Sequence, residues 1–116
     1  MITKDKITEE KIEEVVSKIV EASDPEKVIL FGSYANKNHN EDSDLDFLVI
    51  KETNLPQRKR GIEVRKNLWG IGVPVDIVVY TPEEIKEWQN ISNSFIHNIL
   101  KKEEVLYAKK EKLVKG

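Results

Sequence analysis

The chain has 116 residues, a formal net charge of −2, 39% hydrophobic residues and 34% charged ones. This is the length of one domain, expected to span residues 1–116 with a frayed tail from about residue 109. The absence of cysteine excludes disulfides, thiol nucleophiles and cysteine-ligated zinc, and the lack of a basic excess argues against nucleic acid as a partner.

The N-terminus lacks the apolar core of a signal peptide, and no apolar run reaches membrane-helix length. A cytoplasmic protein without a membrane partner is expected. The first element reads as a helix over Thr8–Ala22, because Ile12, Val15, Val16, Ile19 and Val20 recur at helical spacing. Thr8 is placed to cap it, Glu9 and Glu10 suit its first turn, and Ile7 with Ile12 has the spacing of a hydrophobic staple. Asp24-Pro25 ends it. The run Val28–Phe31 then suits a strand buried on both faces, ending at Gly32. A short helix is expected to start within Ser33–Lys37, followed by a polar loop over Asn36–Asp42.

Leu45–Ile50 reads as a second buried strand, entered through Ser43 and Asp44. A second long helix is expected from near Pro56 to Gly70 or Gly72, with a basic side carrying Arg58, Lys59, Arg60, Arg65 and Lys66. Pro74–Tyr80 reads as a valine-rich third strand. Thr81-Pro82-Glu83-Glu84 is a strong helix start: a Thr cap, Pro at the first helical position and Glu at the third. A further helix over Ser94–Lys102 and a short strand at Val105–Tyr107 complete the pattern. The expected class is α/β (α+β), a small mixed sheet flanked by helices.

Three pieces can carry chemistry. Gly32-Ser33 follows a strand directly. Glycine allows a sharp turn and close approach of a phosphate, and Ser33 adds a donor, although such a pair is also an ordinary turn. Asp44 and Asp46 are two apart, so on a strand they face the same way with Cα atoms about 6.6 Å apart. They are either two exposed acids at a strand end or a pair able to hold Mg²⁺ through oxygen. Asp76 lies among β-branched residues and is expected to be buried. It either caps a local backbone N–H or supplies a third carboxylate from a neighbouring strand.

Gly32-Ser33, ten intervening residues, Asp44-x-Asp46 and a later strand acid together resemble the minimal nucleotidyltransferase family of the DNA polymerase beta superfamily. The resemblance covers roughly Glu26–Tyr80. It implies the nucleotidyltransferase fold, ATP bound through Gly32 and Ser33, and Mg²⁺ ions held by Asp44, Asp46 and Asp76. It also implies that Asp76 helps to activate the attacking hydroxyl. Members often serve as antitoxins that adenylylate a HEPN-type toxin, so AMP transfer to a partner's hydroxyl, a tyrosine first, is the leading expectation. Many relatives read Gly-Ser-x-Ala-Arg-Gly, whereas here Asn36 and Lys37 follow Ala35. Lysine lacks the bidentate fork of arginine at a phosphate, so this departure bears on rate.

The chemistry is coherent without the family. Nucleotidyl transfer is an in-line displacement at phosphorus, in which the protein positions groups and neutralises charge. Two metals about 3.5–4 Å apart can clamp the attacking and leaving oxygens. A chain of this length is expected to hold no acceptor-binding domain, so the acceptor is expected on another protein, or in a site built by a dimer. The alternatives are a small-molecule nucleotidyltransferase and a non-catalytic domain that neutralises a partner by binding. His39 and His97 have no nearby ligand partner, and Trp69 and Trp88 are read as core or partner-facing.

Overall fold

The computed structural model describes residues 7–32, 44–101 and 104–109. Helix α1 (Glu9–Ser23) starts where the Thr8 hydroxyl accepts the Lys11 N–H at 3.0 Å, and it buries Val15, Val16 and Ile19. Its end is set by Asp24 in the left-handed region at φ 46°, whose N–H bonds the Val20 carbonyl. Strand β1 (Lys27–Phe31) follows, and then β2 (Leu45–Ile50), with Val28, Ile29, Leu30 and Leu48 all buried.

The expected long second helix is instead a 3-10 turn at Gln57–Lys59 and a six-residue helix, α2 (Ile62–Asn67), entered at Gly61. Arg60 explains the break. Its guanidinium donates to the Leu55 and Val79 carbonyls and forms a two-pronged pair with Glu84, at 2.7 and 3.1 Å. An arginine so fixed, with its side chain only 10% exposed, holds the segment to the sheet edge. The Asn67 amide donates to the Lys18 carbonyl and ties α2 to α1.

Strand β3 (Val75–Tyr80) leads into α3 (Pro82–Gln89) through the capping box foreseen at Thr81 and Glu84. Helix α4 (Phe95–Lys101) and β4 (Glu104–Ala108) close the order. The sheet runs β3-β2-β1-β4; β1 is antiparallel to β2 and β4, while β2 and β3 are parallel. It is therefore the small mixed sheet that was expected.

Alternation along the strands sends one face to α1 and α2 and the other to α3 and α4. Leu45, Phe47, Val49, Val28, Leu30, Ile77 and Val79 pack on the first side with Val15, Ile19, Val64 and Leu68. Ile7 and Ile12 close over that cluster, as the staple spacing suggests. Ile29, Leu48 and Ile50 pack on the second side with Ile85, Ile96 and Ile99. Strand β3 is a sheet edge, and its outward carbonyls at Ile77 and Val79 accept from Arg65 and Arg60. This satisfies the edge groups that would otherwise invite another strand. Among the described residues no helix is long and apolar enough to cross a membrane.

Candidate active site

The acids collect where β2 and β3 begin. In the parallel ladder Asp46 is the register partner of Asp76, and in the antiparallel ladder it is the partner of Phe31. Register partners point to the same face, and hydrogen-bonded strands lie about 4.8 Å apart. Phe31, Asp46 and Asp76 thus form one row across three strands. The row lies on the α3/α4 face, because Asp46 shares its side with Leu48 and Ile50. Asp46 is half-buried, while Asp44 and Asp76 are exposed. The burial expected for Asp76 is corrected here: its β-branched neighbours face the core, but Asp76 stands at the start of an edge strand. Asp44 lies just before β2, whose entry is fixed by the Leu45 N–H bonding the Pro74 carbonyl at 3.0 Å.

Charge couples the acids. Burial, followed by the charges of Asp76 and then Asp44, pushes the Asp46 carboxyl above its ordinary value of 3.8. Three like charges at a strand mouth invite a cation to sit among them. Carboxylate oxygens are the donors that Mg²⁺ prefers. The chemistry of the donor set fits such an ion, although among the described residues no group of three metal-binding side chains is already gathered.

Gly32 closes β1 at φ +82°. The structure gives it a second reason to be glycine: a Cβ there would collide with the Asp46 carboxylate and lie 3.2 Å from its Cγ. The Asp46 carboxylate therefore packs directly against the Gly32 turn. Ser33, Asn36, Lys37 and His39 lie outside the described residues, as does the helix start expected there.

The basic side offered by Arg58, Arg60 and Arg65 is largely committed to the fold, since Arg60 pairs with Glu84 and Arg65 donates to Ile77. Of the two readings given for Trp69 and Trp88, exposures of 81% and 42% remove the core one and leave the partner-facing one open. The His97 ring meets the Gln89 carbonyl at 2.8 Å, a local contact with no metal ligand set around it among the described residues. The aromatic group of Phe31, Tyr80 and Phe95, of which Phe31 adjoins the acid row, carried no periodic signal in the sequence; residue spacing alone could not bring it together.

A helix-flanked mixed sheet with carboxylates and a glycine turn at its strand ends defines a class of α/β domain suited to a cation and a phosphate. The family described as Polymerase beta, Nucleotidyltransferase matches residues 10–112, and the chain belongs to it. A curated relative from Methanocaldococcus jannaschii, named "Putative protein adenylyltransferase", is 34% identical over 82 residues, covering 70% of this chain and 77% of the relative. Two solved structures share the fold. One, a "putative nucleotidyltransferase" from Sulfolobus solfataricus, has a TM-score of 0.61 at 19% identity, over 86% of this chain and 79% of that one. The other, a toxin–antitoxin structure with AMP-PNP, has a TM-score of 0.56 at 20% identity, over 90% of this chain and 76% of that one.

Proposed function

We propose that this single domain transfers AMP from ATP to a side-chain hydroxyl, a tyrosine first, on a HEPN-type partner protein, as the antitoxin of a toxin–antitoxin pair. The observation that carries the catalytic part is the row in which Asp46 and Asp76 are register partners, with Asp44 close enough to raise the Asp46 pKa. The relative named as a protein adenylyltransferase supports a protein acceptor, and the toxin–antitoxin neighbour with AMP-PNP supports the pairing.

Asp44, Asp46 and Asp76 would hold Mg²⁺, which supplies charge neutralisation on the phosphates when bound. The protein groups do the rest. The triphosphate lies along the Gly32 main chain beside the Asp46 carboxylate, with Ser33 as a further donor. Asp76, exposed at the sheet edge, is reachable by an incoming hydroxyl and accepts its proton. The acceptor oxygen then bonds the α-phosphorus, the bond from that phosphorus to the bridging oxygen breaks, and pyrophosphate leaves.

Calorimetry with ATP tests the reading. Wild type is expected to bind ATP with Mg²⁺ and far more weakly without it, and an Asp44→Asn, Asp46→Asn double variant is expected to lose the metal-dependent part. Equal binding by both proteins would refute the site.

A further inference from the structure

Beside the acid row the sheet carries an aromatic group that catalysis by carboxylates does not use. Phe31, the register partner of Asp46, meets Phe95 edge-to-face with ring centroids 5.5 Å apart. Phe95 is also 6.3 Å from the Tyr80 ring, tilted at 35°. These two contacts fix the Phe95 ring over the α3/α4 face, yet Phe95 remains 46% exposed. A ring anchored on two others and still open to solvent is a platform with one surface to offer. Trp69, more exposed still, follows α2, which packs on the opposite face of the sheet.

We propose that Phe95, seated on Phe31 next to the Asp46–Asp76 row, is the stacking platform for the base of the bound nucleoside triphosphate. The proposal rests on the nucleotidyl-transfer reading, which puts the phosphates at Gly32 and the acids. The base is the one flat apolar part of that ligand, and it must lie to one side of the acid row. On the β1 side of Asp46 the neighbour is Phe31, and Phe95 lies on Phe31. The Ser94 hydroxyl next to Phe95 is already engaged: it donates to the Trp88 carbonyl and accepts the His97 N–H. Stacking is a contact that every base can satisfy, so the ring itself discriminates weakly among bases.

The test compares three ligands, each with Mg²⁺: ATP, CTP and inorganic tripolyphosphate. Phe95→Leu keeps an apolar contact with Phe31 and Tyr80 but removes the ring face; Phe95→Trp enlarges that face. Phe95→Leu is expected to bind ATP about tenfold more weakly, the scale of one lost base–aromatic stack. Its binding of tripolyphosphate is expected to be unchanged, and Phe95→Trp is expected to hold ATP at least as tightly as wild type. Wild type is expected to bind CTP within about tenfold of ATP, as stacking alone implies. An unchanged ATP affinity in Phe95→Leu, with binding still abolished by Asp46→Asn, would overturn the platform and leave the acid site standing. If wild type binds neither ATP nor tripolyphosphate with Mg²⁺, the phosphate site fails and the platform fails with it. Melting curves for both variants confirm that the fold is intact.

Discussion

Asp46 and Asp76 sit directly beside each other on parallel strands, and the charge of Asp76 is the largest electrostatic influence on the Asp46 carboxyl after burial. This adjacency is unfavourable in the metal-free protein. A carboxyl with a raised folded-state pKa keeps its proton in the fold after the unfolded chain has lost its own. Its contribution is therefore present at low pH and is lost as pH rises from about the ordinary 3.8 through the raised value. Asp46→Asn removes the charge, so metal-free Asp46→Asn is expected to melt higher than wild type at pH 7. Thermal unfolding in EDTA measures this, and a lower melting temperature would mean that the carboxylate supports the fold.

Gly32→Ala places a methyl where the Asp46 carboxylate lies, at a φ that L-residues rarely adopt. The left-handed conformation alone costs about 1–2 kcal/mol. The expected result is a lower melting temperature together with weaker Mg²⁺-dependent ATP binding, since Asp46 must move. Unchanged stability and binding would show that the turn adapts and that the contact has no bearing on the site.

Asp76 is exposed, so Asp76→Asn is expected to fold like wild type. If Asp76 takes the proton of the incoming hydroxyl, transfer falls by about 10²–10⁴. Circular dichroism and a single-turnover assay separate the two effects, and transfer at the wild-type rate would remove Asp76 from the chemistry.

The Arg60–Glu84 pair holds the segment before α2 to the start of α3. Its hydrogen bond from Arg60 keeps the Glu84 carboxyl below its ordinary 4.5. The stabilisation is thus present above about pH 4.5 and is lost as pH falls through the lower folded-state value. Glu84→Gln is expected to cost about 1.5–3 kcal/mol at pH 7, the scale of a charge-assisted hydrogen bond in a partly buried setting. The difference from wild type should shrink in acid, which urea titrations at pH 7 and pH 3 would reveal.

Local rules account for what could be read in the sequence. The cap at Thr8, the capping box at Thr81 and the apolar runs of β1 and β2 are set by neighbours in the chain, and each appears in the structure. The break in the expected long helix could not be read in the same way. It depends on Arg60 reaching Glu84, 24 residues away. Nor could the exposure of Asp76, which follows from β3 being an edge strand, a matter of strand order. Nor could the contact of Phe31 with Phe95, residues far apart along the chain whose rings meet only in the fold. For the site, residue types, spacing and the family resemblance marked Gly32, Asp44, Asp46 and Asp76 as candidates, and the fold brings these four to one end of the sheet. That Asp46 and Asp76 share a register, and that Gly32 must lack a side chain because of Asp46, are tertiary facts.

The most direct test of the account is transfer itself. The protein is incubated with ATP, Mg²⁺ and a candidate HEPN-type partner, and the partner's intact mass is measured. The account predicts an added mass of one or more AMP units on a hydroxyl side chain, absent with Asp46→Asn and absent without Mg²⁺. A tight complex with no mass change, under conditions where ATP binds, would contradict it and leave neutralisation by contact alone.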